Sequence, residues 1–141
     1  MDIEVRRLDK ETVEEHLMRC EGDFNPPLSS HLDLGEYAEK LSQNAEFVIL
    51  SDGGSIEGSI AFYTNREGGF AYVSHFWVCG LYRGKGYSKL LLDKLMEYLG
   101  DSCRVIRLEV SKTNPARFFY QKRGFQIVED RGEKWLLSLT I

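Results

Sequence analysis

The chain has 141 residues, 43% of them hydrophobic, with three cysteines and a formal net charge of −4 at pH 7. That length suits one compact domain over residues 1–141, and the apolar content excludes disorder. The acidic balance lacks the electrostatic signature of a nucleic-acid binder and no apolar run reaches the length of a bilayer span, so neither nucleic acid nor membrane is an expected partner.

The first residues, Met1 to Arg7, carry no apolar core of a secretory signal. Cys20, Cys79 and Cys103 are odd in number and lack C-x-x-C spacing, the usage of reduced structural thiols, so a cytoplasmic protein is expected. In chain order, Ile3 to Leu8 alternates like a short strand, and Asp9 or Thr12 can cap a helix through Val13, His16, Leu17 and Cys20. Gly22 to Ser30 is rich in breakers, after which Asp33 precedes a second helical pattern through Leu34, Tyr37, Ala38 and Leu41. Glu46 to Leu50 and Ile56 to Tyr63 read as an antiparallel pair around the turn Ser51 to Gly54, whose glycines supply positive φ.

A turn at Glu67 to Gly69 leads into a β-prone run, Phe70 to Cys79, which Gly80 to Gly86 breaks. From Tyr87 to Leu99 the apolar residues Leu90, Leu91, Leu92, Leu95, Met96 and Leu99 keep helical spacing, and Gly100 closes that helix. Val105 to Val110 is a strand, Pro115 to Lys122 a helix with proline in its first turn, and Phe125 to Val128 with Trp135 to Leu139 a terminal hairpin. Hairpins early and strand-helix-strand units late imply a mixed sheet with helices on its faces. The glycine loop then lies at a strand's carboxyl end, where ligands bind in such sheets.

Arg83-Gly84-Lys85-Gly86-Tyr87-Ser88 joins that strand to an amphipathic helix whose first backbone N–H groups have no intrahelical partner. Glycines let the backbone approach a pyrophosphate, the helix dipole adds positive potential, and Arg83 and Lys85 add full charges. The alternative is that the glycines only turn the chain and both cations are solvated. Gly80, Gly84 and Gly86 satisfy neither the Walker A spacing nor G-x-G-x-x-G, so no nucleotide triphosphatase and no dinucleotide is implied.

Phe76-x-Val78 followed by Arg83-Gly84-Lys85-Gly86-x-Ser88 resembles motif A of the GNAT acetyltransferases, whose core is R-x-x-G-x-G/A; Ser88 stands where the family usually has Gly or Ala. Downstream, Asn114-Pro-Ala116 with Tyr120 and Gly124-Phe125 resembles the family's motif B. The resemblance implies an α/β (α+β) fold: a central mixed, mostly antiparallel twisted sheet flanked by about four helices. The implied order is strand, helix, helix, three strands, helix, strand, helix and two strands. It also implies acetyl-CoA as co-substrate, bound by Trp77, Val78, Arg83, Gly84, Lys85, Gly86, Tyr87, Ser88, Asn114 and Tyr120, with the main chain beside Val78 facing the pantetheine arm; for Trp77 ordinary strand packing is the alternative, compatible with that contact.

In this family the acceptor amine attacks the thioester carbonyl directly, so the protein supplies cofactor grip, a deprotonation route, oxyanion support and a proton or hydrogen bond for the leaving thiolate. The resemblance makes Tyr120 the candidate general acid; the alternative is an aromatic of the helix's buried stripe. His75, three residues before Val78, stands where some members carry a glutamate base, and its ordinary pKa suits that work. A histidine satisfied within the sheet is the alternative, and Glu109 and Tyr72 are further candidates. His16 and Cys20 share a helix face, but two ligands without a third make no metal site, and no metal is expected.

The resemblance places the loop Phe24 to Leu28 over the acceptor; a solvated linker is the alternative. The implied function is N-acetylation of a primary amine of a small molecule, such as an amino sugar or amino acid. A protein or peptide acceptor and a non-catalytic acyl-CoA sensor are the alternatives, and relatives commonly form homodimers.

Overall fold

The computed structural model describes residues 1–24 and 26–141. Among the described residues seven strands and four α-helices follow one another as β1 (Asp2–Arg6), α1 (Lys10–Cys20), α2 (Leu34–Asn44), β2 (Glu46–Asp52), β3 (Ser55–Asn65), β4 (Phe70–Val78), α3 (Tyr87–Leu99), β5 (Val105–Ser111), α4 (Ala116–Lys122), β6 (Gln126–Asp130) and β7 (Lys134–Thr140). Hydrogen bonding orders the strands β1-β2-β3-β4-β5-β7-β6. The pairs β1/β2, β2/β3, β5/β7 and β6/β7 are antiparallel, whereas β4/β5 is parallel, so the expected mixed sheet is present. Two compact units arise, Met1–Phe62 with His75–Tyr98, and Tyr63–Ser74 with Leu99–Ile141.

In the first unit, Asp9 caps α1 by accepting from Thr12 N at 2.8 Å, and Asp33 caps α2 by accepting from Glu36 N at 3.0 Å. Each cap satisfies a backbone donor that the helix leaves without an intrahelical partner. Val13, His16, Leu17 and Cys20 form the buried stripe of α1, spaced three and four residues apart. Four consecutive residues of β2, Phe47 to Leu50, are at most 1% exposed, which requires cover on both faces of the strand.

Strand β3 shows what provides that cover. His16 of α1 meets Ser59 and Arg19 meets Glu57, whereas a Cβ on Gly58 would stand 3.0 Å from Leu91 of α3, and Phe62 lies edge-on to Tyr98 of the same helix. Odd residues of β3 therefore face α1 and even residues face α3, as strand alternation dictates. Because Leu50 also stands 3.4 Å from that Cβ, Gly58→Val should overpack the interface and cost about 1–3 kcal/mol. The check is the urea midpoint against Gly22→Ala, which adds its methyl to open space; equal midpoints would show that Leu91 yields freely.

In the second unit, β5 pairs in parallel with β4 over Phe70–Val73 and Val105–Leu108 and antiparallel with β7 along its whole length. The parallel register ends at Val73 and Leu108 although the strands continue to Val78 and Ser111. All five residues of β6, the edge strand, are exposed, and its register with β7 shifts between Ile127 and Glu129. Insertion of β7 between β5 and β6 is a feature that the chain order does not reveal. No described helix is long and apolar enough to cross a membrane.

Candidate active site

The first unit holds the glycine loop. Cys79 N donates to Glu57 O at 2.8 Å and fixes the end of β4, and a short 3-10 turn at Gly80–Tyr82 carries the chain to Arg83. Gly84 and Gly86 have φ of +74° and +85°, which only glycine adopts at little cost, and a Cβ built on either would meet nothing within 4 Å. The space over both glycines is thus open. Helix α3 begins at Tyr87, and Leu90 N donates to Gly86 O at 3.2 Å. The N–H groups of Tyr87, Ser88 and Lys89 precede that first intrahelical bond and are the donors that a helix start offers to an anion.

Arg83 was expected to present its charge to that anion. Its Nε instead donates to Val78 O at 2.9 Å, and its Nη2 to Asp23 Oδ2 at 3.1 Å. The same carboxylate oxygen accepts from Trp77 Nε1 at 2.7 Å. Asp23 therefore clasps the strand end and the loop together, and sequence reasoning missed it because nothing in its spacing marks it. Lys85 is exposed and Tyr87 and Ser88 are half-buried. Tyr82, edge-on to Tyr87, donates to Asp52 at 2.7 Å and fixes the turn to the end of β2.

Trp77, expected beside the cofactor, is 5% exposed and turned to α1, with its ring 5.2 Å from His16 and 5.6 Å from the Arg19 guanidinium. Val78 is also buried, and its carbonyl is the acceptor already used by Arg83. His75 is 4% exposed, with its ring 5.6 Å from His16 and 5.4 Å from Phe24. Burial, assisted by the neighbouring His16, pushes its pKa down to about 3. The ring is neutral near pH 7, but a conjugate acid that strong holds poorly a proton drawn from an amine. Of the loop expected over the acceptor, Asn25 lies outside the described residues, while Phe24 is half-buried, Pro26 and Pro27 are exposed and Leu28 is buried.

The second unit holds the other candidates. Asn114 accepts from Ala116 N at 2.9 Å through Oδ1, so its carbonyl oxygen shapes the start of α4. Tyr120 is 8% exposed, edge-on to Phe119 at 5.6 Å and to Phe125 at 5.4 Å. Burial holds its phenol well above the usual tyrosine pKa, so it stays protonated. Glu109 accepts from Tyr72 Oη at 3.3 Å and pairs with Arg131 at 3.4 Å. Tyr72 is pushed up to about 12 by burial and by that carboxylate.

One match among curated proteins is the [ribosomal protein bS18]-alanine N-acetyltransferase of Haemophilus influenzae, 45% identical over 51 residues, or 36% of this chain. The match spans 35% of that relative's length. Among solved structures, PaiA N-acetyltransferase from Thermoplasma acidophilum in complex with coenzyme A superimposes with a TM-score of 0.73 at 20% identity over 100% of both chains. Tetrahymena GCN5 gives 0.75 at 19% identity over 100% of this chain and 96% of that one. At those identities the likeness is one of fold. The acetyltransferase (GNAT) family model matches residues 10–125, from the start of α1 to the residue before β6, and the chain belongs to that family.

Proposed function

We propose that residues 1–141 act as one acetyl-CoA-dependent N-acetyltransferase domain whose acceptor is a primary amine of a small molecule, such as an amino sugar or amino acid. The observation that carries this reading is the loop Arg83–Ser88: two positive-φ glycines under open space, leading into the start of a thirteen-residue helix. That arrangement fits a pyrophosphate, and bound acetyl-CoA would supply the activated acetyl group. Main-chain donors of Gly84 to Ser88 hold the phosphates, Lys85 adds charge, and Arg83 shapes the loop through Val78 O and Asp23. Family membership supports the direct-attack chemistry.

Tyr120 is assigned from its place in the family's second motif. A phenol above its ordinary pKa of ~10 transfers a proton uphill to a thiolate whose conjugate acid lies near ~8.5. Its role is then a hydrogen bond to the departing thiolate, worth about 1.5–3 kcal/mol for a charged acceptor. Tyr120→Phe should lower kcat by about 10- to 100-fold with KM for acetyl-CoA within a few-fold, because the bond strengthens only as charge develops. Steady-state thiol release reads both constants, and an unchanged kcat removes Tyr120 from the chemistry.

The strength of His75 as a base leaves deprotonation of the amine to water or to the acceptor's own equilibrium. An acceptor amine of pKa near ~8 loses its proton readily at neutral pH, whereas a lysine-like amine near ~10.4 does not. That favours an amine of lowered pKa. The H. influenzae relative, by its name an alanine N-acetyltransferase of a ribosomal protein, supports a peptide N-terminus as second reading. The test is thiol release from acetyl-CoA with amino sugars, amino acids, polyamines and an N-terminal-alanine peptide. Turnover of small amines alone supports the first reading and turnover of the peptide alone the second. Binding without turnover of any acceptor would make the protein an acyl-CoA sensor, and absence of binding would sink all three. Free thiols at Cys20, Cys79 and Cys103 support a cytoplasmic placement.

A further inference from the structure

We propose that His16, Cys20 and His75 form a binding site for one first-row divalent transition cation, of which Zn²⁺ suits the donors best. The one-turn spacing of His16 and Cys20 on α1 supplies two ligands, and β4 brings His75 against them as the third. One donor atom from each residue lies within 4.8 Å of the others, with Cys20 Sγ at 4.0 Å from His75 Nε2. All three residues are buried within the first unit.

One thiolate and two neutral imidazoles are ligand types that zinc takes, and three protein ligands leave its fourth tetrahedral position open to an exogenous ligand. Tetrahedral bonds of ~2.0 Å to nitrogen and ~2.3 Å to sulfur need donor separations of about 3.5 Å. Separations of 4.0 Å to at most 4.8 Å must therefore shorten by about 0.5–1.3 Å, a change within side-chain reach. Two further observations favour a ligand here over a merely packed polar core. His16 Nδ1 is buried with no hydrogen-bond partner among the described residues, an orphan that packing alone leaves unexplained. Its Nε2 meets Ser59 Oγ at 2.7 Å, the outer contact that orients a metal-ligating imidazole and leaves Nδ1 for the metal.

The two imidazoles are ready for the cation, whereas the thiol must give up its proton. Burial pushes His16 down to about 4 and His75 to about 3, so both rings hold free lone pairs at neutral pH without needing to shed a proton. Cys20 is pushed up to about 12, chiefly by burial, so its thiol is protonated in the free protein. Binding then forms two N–metal bonds and one S–metal bond, and the thiol proton passes to solvent. Arg19 is the nearby cation that would oppose this, but its Nη2 contacts both carboxylate oxygens of Glu57, at 3.1 and 3.0 Å.

The experiment is titration of the untagged, chelator-treated protein with Co²⁺, followed by Zn²⁺ competition. Expected are one equivalent of Co²⁺ bound, a thiolate-to-cobalt charge-transfer band in the near ultraviolet, displacement by Zn²⁺ and a melting temperature raised by Zn²⁺. Cys20→Ser should weaken binding at least 100-fold and abolish the band, while Cys103→Ser, another buried thiol, should keep both. Absence of the band in wild type, or its persistence in Cys20→Ser, overturns the proposal. Should Cys20→Ser fail to fold, X-ray absorption of the zinc-loaded wild type still decides. One sulfur with two imidazoles supports the site, and a shell of nitrogen and oxygen alone overturns it.

Discussion

Protein carrying Gly86→Glu should lose at least 100-fold in affinity for acetyl-CoA, with Arg83→Ala weakened by only about tenfold and Gly80→Ala unchanged. Gly86 has a φ of +85°, a conformation that costs a side-chain-bearing residue about 1–3 kcal/mol. The open space over it means that the new side chain meets no protein atom; it occupies the volume that the phosphates need and sets a carboxylate against them. A 100-fold loss is about 2.7 kcal/mol, a modest sum for strain and like-charge repulsion together.

Arg83 differs because its guanidinium is committed to Val78 O and to Asp23, so its removal loosens the loop without removing the backbone donors. Gly80 has open space around it and no positive φ, and a methyl there should be silent. Isothermal calorimetry of the three variants reads the order directly. Equal losses in Gly86→Glu and Arg83→Ala would return Arg83 to the phosphate, and full binding by Gly86→Glu would place the cofactor elsewhere.

The loop was legible in the sequence because its demands are local. Positive φ, missing side chains and an amphipathic helix directly after them are written in consecutive residues, and α3 occupies the expected Tyr87–Leu99. The caps Asp9 and Asp33 are equally local, resting on one side chain and a backbone N–H three residues on. What remained hidden depends on tertiary placement. Asp23 meets Trp77 and Arg83 across 54 and 60 residues, and Cys20 meets His75 across 55, separations at which spacing carries no information. His75 shows the limit most clearly: a histidine in a strand reads as a base of ordinary strength, and only the packing of α1 against β4 reveals how far burial weakens it. The two-ligand count for His16 and Cys20 was correct for one helix and incomplete for the fold.

Stability should be level above about pH 7 and fall steeply as the solution is acidified from pH 6.5 to 5. His16 and His75 have folded pKa values of about 4 and about 3, both lowered first of all by burial, against an unfolded value near 6.5. For a base with a depressed folded pKa, the unfolded chain takes up the proton first, so stability is whole above the unfolded value and declines as pH drops below it. Each histidine then contributes a loss of about 1.4 kcal/mol per pH unit, or roughly 4 kcal/mol for the pair at pH 5. Set against a typical total of about 5–15 kcal/mol, that is a large share.

Carboxylates do not confound this window. Burial alone would raise Glu57, but hydrogen bonds from Ser55 and Arg19 outweigh it and hold its pKa below the usual value, so its contribution is lost only as pH falls further. Urea unfolding with a chelator present, which keeps metal linkage out of the result, should give a midpoint at pH 5 well below that at pH 7.5. The double variant His16→Gln with His75→Gln should flatten the slope whatever its absolute stability, because neither replacement titrates. A wild-type midpoint that does not move between pH 7.5 and 5 would mean that the folded protein accepts both protons, which requires water to reach rings that lie only 4% exposed.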